Sequence, residues 1–246
     1  MNILAFDTST EVMSIAVGKT GAVTQHWLHT ATGGAKASTG LIAGVMNLLN
    51  QAGLALTDLD FIAFGAGPGS FTGLRTACSV AQGLAFGADV PVLPIDTLLA
   101  VAEEARYTAC ANANALRLTA LLDARMDEMY CATYDFADGV WMEVQGSHLV
   151  RPEAFASEAT GVARVLAGNV FAVYGERLGR LPGIAALPTA AAMLRLAPAL
   201  VAAGKAVPAD QALPSYIRDK VAKTTAERIA EKAAAMQMPS VASGAA

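Results

Sequence analysis

The stretch NILAFDTSTEVMSIAVGKTGAVTQHWLH (residues 2–29) decides the fold class of this chain. Residues 2–9 form an apolar run that ends on the polar sequence DTST, which is typical of a buried strand. A second apolar run at 13–18 and a third at 23–29, after a turn around Gly21, have the length of strands. Three short strands in succession predict an antiparallel meander at the start of the chain.

Helices and strands alternate after this meander. Beyond the Gly33-Gly34 break, hydrophobic periodicity indicates helices, and the last of them begins at an Asp or Thr cap. The predicted segments are a helix at 38–52, a strand at 61–65, a helix at 72–86, a strand at 90–95 and a helix at 96–106. The predicted order of this half is therefore β-β-β-α-β-α-β-α.

The same order of elements begins again after a linker at 110–115. The predicted elements are strands at 116–123, 128–135 and 140–149, a helix at 152–159, a strand at 170–174 and a helix at 188–203. The two halves share no visible sequence identity, so the predicted duplication rests on element order. Residues 225–236 are predicted to form a charged helix, and 239–246 a frayed end.

Two copies of this unit are the architecture of the two-lobed actin-like (ASKHA, ribonuclease-H-like) fold, which actin, Hsp70-type ATPase domains and sugar kinases share. The sequence therefore predicts this α/β fold, with an N-terminal lobe at 1–106, a smaller C-terminal lobe at 107–220 and a tail at 221–246. In that fold class a nucleotide sits in the cleft between the lobes. The fold class alone does not determine the function.

Composition narrows the class of protein further. The 246 residues are 54% apolar and 15% charged, which is far too apolar for a disordered chain. The net charge of −4 argues against a free-standing nucleic-acid binder, which usually has a basic face. Cys78, Cys110 and Cys131 are widely spaced, which argues against a disulfide framework or a thiolate zinc site. We expect no signal peptide and no membrane span, and hence a soluble cytoplasmic protein.

The glycine-rich stretch GAGPGSFTGLR (residues 65–75) follows a predicted strand and opens a predicted helix. Backbone N–H groups converge at such a helix N-terminus and can bind an anion. The stretch is neither a dinucleotide fingerprint nor a P-loop. One interpretation is a tight turn in which glycines supply positive φ and Ser70 or Thr72 caps the helix. The other is a phosphate or nucleotide loop with the following members: Asp7, Gly67, Gly69, Ser70, Thr72 and Gly73.

Asp7 belongs to this alternative because it ends the first predicted strand, where actin-like folds place a phosphate-handling loop. Its carboxylate could hold Mg²⁺ through water. It could equally form a local turn by hydrogen bonding to Ser9 or Thr10. The sequence leaves both interpretations open.

No other arrangement of residues predicts an active site. His26 and His29 lie three apart on a predicted strand, so their rings point to opposite faces and no metal site is expected. The densest charge cluster, at 123–128, is predicted to be a solvated hairpin rather than a pair of catalytic carboxylates. Ser70 does not lie in a GxSxG motif, and no His is placed by sequence to act as its base. We therefore expect no catalytic residue and no metal ligand.

Two predicted helices lack the charged outer side of an ordinary surface helix. The helix at 38–52 has no charged residue, and the helix at 72–86 has only Arg75. We favour burial against another chain; the alternative is that a flanking part of the same chain covers them. The predicted interface residues are Leu41, Ile42, Val45, Met46, Leu49, Leu74, Cys78, Ala81, Gln82 and Ala85. On this hypothesis, Val45→Glu or Ala81→Glu abolishes pairing and leaves the monomer folded.

Five stretches, in order, carry a family resemblance: DTST at 7–10, GAGPGSFTGLR at 65–75, AQGLAFG at 81–87, LLDARMDEMY at 121–130 and PSYIR at 214–218. The chain resembles the TsaB (YeaZ) family, a subunit of the bacterial machinery that makes threonylcarbamoyladenosine (t6A) in tRNA. The resemblance implies an actin-like two-domain fold with no known catalytic activity of its own. Asp127 departs from the family pattern, which usually has Gly at this position.

The resemblance also implies partners. The family pairs with its catalytic paralog TsaD through the first two helices of the N-terminal domain, self-associates as a homodimer through the same surface, and is joined by the ATPase TsaE. We expect tRNA contacts only through the complex, no intrinsic cofactor, and any ATP or ADP at the partner interface. The catalytic paralog carries metal-binding histidines on the helix after its third strand, whereas residues 36–52 here contain no histidine.

The sequence therefore predicts a non-catalytic scaffold that pairs with and activates TsaD. The alternative is an enzyme, either an actin-like ATPase or kinase or a peptidase-like hydrolase. The ATPase alternative needs Asp7 and the loop at 65–73 to hold a magnesium nucleotide. Tight binding of ATP by the isolated chain would favour it.

Overall fold

The computed structural model describes residues 1–19, 25–34, 39–159 and 164–218. The first unit contains β1 (Asn2–Asp7), β2 (Val12–Lys19), β3 (Gln25–Thr32), α1 (Leu41–Ala52), β4 (Phe61–Gly67), α2 (Phe71–Ala88), β5 (Val92–Asp96) and α3 (Thr97–Ala109). The second contains β6 (Ala115–Asp123), β7 (Met129–Ala137), β8 (Val140–Val150), α4 (Pro152–Ala159), β9 (Val165–Gly168), α5 (Phe171–Tyr174), β10 (Ile184–Ala185) and α6 (Ala190–Ala202). Short 3-10 turns lie at Leu56–Asp58 and Ala209–Gln211.

Each unit builds a five-stranded mixed sheet with the same strand order. The first sheet runs β3-β2-β1-β4-β5, and the second runs β8-β7-β6-β9-β10. In both sheets the first three strands form an antiparallel meander, and the last two strands join in parallel beside the first. The predicted repetition of the β-β-β-α-β-α-β-α unit is therefore confirmed.

The central strands of the first sheet are covered on both faces, which explains their continuous apolar sequence. Leu4 and Phe6 of β1 belong to the core that α1 and α2 cover. Ile3 and Ala5 belong to a second core on the opposite face, beneath α6. Because alternate residues of a strand point to opposite faces, one short strand supplies both cores.

The last helix of each unit packs against the sheet of the other unit. Leu98 and Val101 of α3 lie in the core of the second sheet, with residues of β6 and β7. Met193 and Leu194 of α6 lie in the core of the first sheet. The division into 1–106 and 107–220 stays a prediction, and a boundary after residue 106 would fall inside α3.

A buried polar network joins α3, α6 and the second meander. Glu103 is 3% exposed and accepts hydrogen bonds from Arg106 and Arg195, each at 2.8 Å, and from Trp141 Nε1 at 3.0 Å. Burial alone would raise the pKa of Glu103, but these hydrogen bonds lower it below its ordinary value. The carboxylate therefore stays ionised and holds the two units together where α3 meets α6.

A second polar link joins the end of β5 to the meander of the second unit. Asp96 caps α3, because its carboxylate accepts the Leu99 N–H at 2.9 Å. The same carboxylate accepts the Tyr134 hydroxyl at 3.0 Å and the Ser147 hydroxyl at 3.2 Å. The predicted Asp cap of this helix is confirmed, and its side chain also joins the two units.

One predicted element is wrong, and two predictions lie outside the described residues. The strand predicted at 170–174 is wrong, because residues 171–174 form the one-turn helix α5. The strand of this region is β9, which ends at Gly168. Val170, Tyr174 and Leu178 are buried at intervals of four residues, which is the period of a helix. The predicted helix at 225–236 and frayed end at 239–246 are not described.

Within the described part of the chain, no helix is long and apolar enough to cross a membrane.

Candidate functional site

The helices α1 and α2 lie on the same face of the first sheet and share one hydrophobic core. Helix α1 contacts β2 and β3, and α2 contacts β4, β1 and β5. Arg75 is the only charged residue in either helix. Surface helices normally carry charged residues on the side away from the core, so the outer side of this pair is atypical for a solvated surface.

Seven of the ten predicted interface residues face this chain's own core. They are Leu41, Val45, Leu49, Leu74, Cys78, Ala81 and Ala85, none of them more than 5% exposed. A helix that lies on a sheet must bury one apolar stripe against it, and these residues form that stripe. The expectation that Val45→Glu or Ala81→Glu leaves the monomer folded is wrong, because either carboxylate would be buried without a partner.

Arg75 is exposed one turn before Ser79; beyond it, the opposite sides of α1 and α2 form a face without charges, which we call the outer face. Ile42 is 54% exposed, Met46 48% and Phe86 84%. The exposed members of the outer face are Ile42, Ala43, Met46, Asn47, Ser79, Gly83, Phe86 and Gly87. Of the ten predicted interface residues, Ile42 and Met46 belong to it.

Gln82 is the remaining predicted interface residue, and a flanking part of this chain covers it. Its side-chain Nε2 donates to the carbonyl of Ala212 at 2.9 Å, and the Cys78 thiol donates to the same carbonyl at 3.4 Å. Along this edge of α2, the alternative interpretation that the chain covers its own helix is therefore correct.

Two glycines of the outer face have no packing requirement within the described part of this chain. A Cβ added at Gly83 or at Gly87 would meet no heavy atom within 4 Å. At Gly44 on α1, by contrast, a Cβ would lie 2.6 Å from Ile15 Cδ1, so the sheet beneath requires that glycine. Glycine in a helix interior costs about 1 kcal/mol relative to alanine. Gly83 and Gly87 carry this cost without any compensating contact among the described residues.

The glycine-rich loop packs directly against the loop that follows β1. A Cβ at Gly69 would lie 2.6 Å from Ser9 Cβ, and one at Gly73 would lie 1.8 Å from the Thr8 carbonyl oxygen. The Ser70 N–H donates to the Ser9 carbonyl at 2.7 Å. Close approach of two backbones therefore accounts for these glycines without a phosphate.

The predicted side-chain cap of α2 is wrong. Ser70 occupies the N-cap position, but its side chain makes no capping hydrogen bond. Thr72 lies inside the first turn, and its carbonyl accepts the Thr76 hydroxyl at 2.9 Å. Of the glycines in this loop, Gly67 is the one with positive φ, at +122°.

Asp7 is completely buried and does not line the cleft between the units. Its Oδ1 accepts hydrogen bonds from the Ser9 N–H and hydroxyl, at 2.9 and 2.7 Å, as a local turn requires. Its Oδ2 has no hydrogen-bond partner among the residues that the structure describes, and it lies against Gly65, where a Cβ would be 1.8 Å away. Burial raises the pKa of Asp7 to about 6 although the Ser9 hydrogen bonds oppose it. The carboxylate therefore points into the core rather than toward a ligand.

A cleft of about 390 Å³ separates the two units. Its walls include residues 9–11 and 68–71 of the first unit, 122–126 of the second, and 215–218. Gly69 and Ser70 are the two predicted phosphate-loop residues that line it, whereas Asp7, Gly67, Thr72 and Gly73 do not. The structure thus places two of the six predicted phosphate-loop residues at the cleft and the other four away from it.

The charge cluster at 123–128 forms the predicted hairpin between β6 and β7. Asp123 pairs with Arg125 at 3.1 Å, Asp127 with Arg177 at 2.7 Å, and Glu128 with Arg218 at 2.5 Å. Each of these carboxylates is therefore neutralised by its own arginine, and no two of them share a site as catalytic pairs do.

The tip of this hairpin has an unusual backbone. Arg125, Met126 and Asp127 all have left-handed φ, at +60°, +56° and +60°. Each such residue other than glycine costs about 1–2 kcal/mol. Glycine at position 127 would avoid that cost, which accounts for the Gly that the family pattern usually has there; the structure does not explain its replacement by Asp127.

The histidines of β3 diverge, as predicted. Gly18, paired with His26, lies under Leu194 of α6, so His26 is on that face of the sheet. His29 lies beside Gly44 of α1, on the opposite face. Among the described residues, no three His, Cys, Asp or Glu side chains gather in a group that could hold a metal ion.

Comparison of the sequence with known proteins shows which family this chain resembles. A family model described as "TsaD: tRNA N6-adenosine threonylcarbamoyltransferase" matches residues 23–165. The tRNA threonylcarbamoyladenosine biosynthesis protein TsaB of Escherichia coli K12 is 34% identical over 236 residues, covering 90% of this chain and 96% of that protein. The chain belongs to the TsaB/YeaZ family. TsaB of Haemophilus influenzae is also 34% identical, over 90% of this chain and 95% of that protein.

Structural similarity supports the same family. YeaZ from Pseudomonas aeruginosa matches with a TM-score of 0.76 at 36% identity, covering 87% of this chain and 99% of that one. The TsaB/YeaZ resemblance and the α/β fold of the actin-like, ribonuclease-H-like class are thereby confirmed. The named TsaB relatives act in the biosynthesis of tRNA threonylcarbamoyladenosine.

Sequence reasoning missed the part that residues 207–218 play in this TsaB/YeaZ chain. The segment crosses from the first unit to the second and supplies one wall of the cleft. Its one signal was the motif PSYIR at 214–218, which carried the family resemblance but suggested no contact. Long-range contacts of an extended segment leave no periodic pattern in a sequence.

Proposed function

We propose that this chain is the non-catalytic subunit that pairs with, and activates, the threonylcarbamoyltransferase TsaD in the formation of t6A on tRNA in the cytoplasm. The outer face of α1 and α2 is the pairing surface. The observation that carries the proposal is a continuous helical face without charges, on a chain whose net charge is −4.

The exposed apolar side chains of the outer face support pairing energetically. Ile42 and Met46 are each about half exposed, and Phe86 is almost completely exposed. Complete burial of a side chain of this size contributes about 1.5–3 kcal/mol. Burying these three in an interface therefore contributes several kcal/mol, and the one charge that borders the outer face, Arg75, already contacts Tyr216 and Phe71 of this chain.

The glycines support close contact between helices. Gly83 and Gly87 lie one helical turn apart, and none of the residues that the structure describes fills the space above either of them. Small residues at such positions let a second helix approach closely. Contacts with a partner helix that crosses here would offset the loss of helix stability that Gly83 and Gly87 cause.

The match to the transferase model supports the identity of the partner. Because residues 23–165 match the TsaD model, chain and partner share a common unit that includes both α1 and α2. Two copies of a common unit can pair through the same surface in a pseudo-symmetric dimer, and two identical chains can form a homodimer in the same way. The ATPase TsaE would then bind the pair, and tRNA would bind through the complex.

The polar groups around the cleft support a non-catalytic role. The hairpin carboxylates pair with arginines of this chain, and the glycine-rich loop packs against Thr8 and Ser9. Asp7, which the ATPase alternative needs, points into the core. These groups serve the fold, and none of them is left poised for proton transfer or nucleophilic attack.

The experiment that tests this proposal compares two matched substitutions. Ile42→Glu places a charge on the outer face, and Val173→Glu places one on an equally exposed apolar residue of α5, since the two side chains are 54% and 57% exposed. Titration calorimetry with TsaD should show a loss of at least about a hundredfold in affinity for Ile42→Glu, because burying an unpaired charge is costly. Val173→Glu should bind like the native chain. Equal affinity of both variants would refute the pairing surface.

A further inference from the structure

The last described segment, residues 207–218, runs back across both units instead of ending on α6; we call it the strap. Its first residue, Val207, exchanges two backbone hydrogen bonds with Val92 of β5, at 2.8 and 2.9 Å. The 3-10 turn Ala209–Gln211 then packs against α2. Ala212 is fully buried, with its carbonyl bound by Gln82. The first half of the strap is therefore fixed to the first unit.

The middle of the strap lies on the end of β4. The Ser215 N–H donates to the Ala66 carbonyl at 2.6 Å. Gly67 has a φ of +122°, and a Cβ there would lie 2.4 Å from the Ser215 carbonyl oxygen. The seat of the strap therefore requires glycine at position 67, which gives this glycine a role that involves no phosphate.

Tyr216 fastens the strap to the start of α2. Its hydroxyl accepts a hydrogen bond from Arg75 Nε at 3.1 Å, and its ring centroid lies 5.5 Å from that of Phe71. The Arg75 guanidinium in turn lies 3.9 Å from the Phe71 ring centroid. Arg75, the one charge of α2, is thus used to hold the strap.

The strap ends on the second unit. Arg218 is largely buried, and its Nη1 donates to the Ala124 carbonyl at 3.0 Å. Its Nη2 donates to Glu128 Oε2 at 2.5 Å. Ala124 and Glu128 flank the left-handed tip of the β6–β7 hairpin, and Ile217 packs against the core of the second sheet. Two or three residues of chain therefore connect the seat on β4 to the hairpin across the cleft.

We propose that the strap is a clamp that holds the cleft between the units closed, with Arg218 as its releasable end. Residues 215–218 line the cleft together with the loop at 68–71 on one side and the hairpin at 122–126 on the other. The contact of α3 with α6, with Glu103 at its centre, joins the units independently of the strap. Release of Arg218 therefore lets the cleft open, which exposes both of its walls to solvent, while the contact of α3 with α6 keeps the units attached. This inference does not depend on the pairing surface.

Hydrogen–deuterium exchange of the full chain, read by mass spectrometry, tests the clamp. Arg218→Ala should raise amide exchange by about tenfold in two separate regions, 68–72 and 122–128, because local opening controls exchange there. Exchange in β1 should be unchanged. The matched control is Arg180→Ala, since Arg180 is 84% exposed and its ion pair with Glu176 is 3.6 Å long. The Arg180→Ala variant should leave amide exchange unchanged in both regions.

Faster exchange in both regions, 68–72 and 122–128, distinguishes a clamp from a segment that only packs on the surface of the units. Faster exchange confined to 122–128 or to the strap itself, or no change at all, would overturn the proposal. If Arg218→Ala does not fold, Glu128→Gln decides, because it weakens the same contact from the other unit while Arg218 keeps its hydrogen bond to the Ala124 carbonyl. Glu128→Gln should produce a smaller increase in both regions; where Arg218→Ala does fold, adding Glu128→Gln to it should produce no further increase. An additive effect, or an increase on one side alone, would contradict the clamp.

Discussion

Replacing Gly83 by alanine should strengthen the fold and weaken pairing at the same time. Gly83 is exposed in the interior of α2, and the added Cβ would meet no heavy atom within 4 Å. Alanine is favoured over glycine in a helix interior by about 1 kcal/mol, so the free energy of unfolding should rise by about that amount. In a chain of this size, such a gain raises the Tm by about 2–4 °C.

The same methyl group should obstruct a partner helix that packs closely against the outer face. Overpacking of a well-fitted contact costs about 1–3 kcal/mol. The Kd for TsaD should therefore rise by about tenfold or more. Calorimetric unfolding and titration with TsaD, performed on the same preparation, measure both effects. Gly87→Ala provides a second position one turn away.

Gly44→Ala is the control for this prediction. Its Cβ would lie 2.6 Å from Ile15 Cδ1 inside the core, so the cost of overpacking should cancel or outweigh the gain in helix propensity. The reasoning would be refuted by a Gly83→Ala variant that is more stable and still pairs with native affinity. A fall in its Tm would show that the space above Gly83 is not open.

Three further variants test the interior. Asp7→Asn should stabilise the chain more at pH 7.5 than at pH 4 by about 2 kcal/mol. Burial raises the pKa of Asp7 from 3.8 to about 6 in the folded chain, so the native chain loses stability as the pH rises through that range. Urea unfolding at both pH values measures this difference, and an equal effect at the two would contradict it. Val45→Glu should abolish cooperative thermal unfolding, because the 0% exposed side chain would bury an unpaired charge; a native Tm would contradict it. Glu103→Ala should lower the free energy of unfolding in urea by about 3 kcal/mol, since it leaves Arg106 and Arg195 without their shared carboxylate. A loss below about 1 kcal/mol would show that the network contributes little to stability.

Local patterns predict most of this fold because its elements are regular. Apolar runs of strand length, turn residues and helical periodicity predicted thirteen of the sixteen helices and strands in their order; one predicted strand at 170–174 stood in place of β9 and α5, and β10 was not predicted. The error, at 170–174, arose because the four-residue sequence FAVY is equally apolar in a strand and in a single helical turn. A segment so short has no periodicity, and only the burial of Val170, Tyr174 and Leu178 distinguishes the two.

The site was predictable at the level of the helices but not of their faces. The absence of charge identified α1 and α2, yet it removed the information that normally separates the inner side of a helix from the outer side. Leu41 and Val45 were therefore assigned to the interface although the sheet buries them, whereas Phe86 was missed although it is 84% exposed. When both sides are apolar, only the position of the sheet decides which residues are free.

The glycine-rich loop shows a second limit. Its sequence is compatible with a phosphate loop because both uses of glycine depend on the same property, a backbone without a side chain. The structure assigns the space above Gly67 to Ser215, above Gly69 to Ser9 and above Gly73 to Thr8. These contacts join residues far apart in the chain, and no local pattern could have indicated them.

The most direct test of the central claim is the light-scattering mass of the pure chain, measured alone and after mixing with TsaD. If the outer face is a shared pairing surface, a homodimer of the chain should give way to a one-to-one heterodimer, and Ile42→Glu should prevent both. A chain that remains monomeric in both measurements would contradict the account, and the uncharged outer face would then need another explanation.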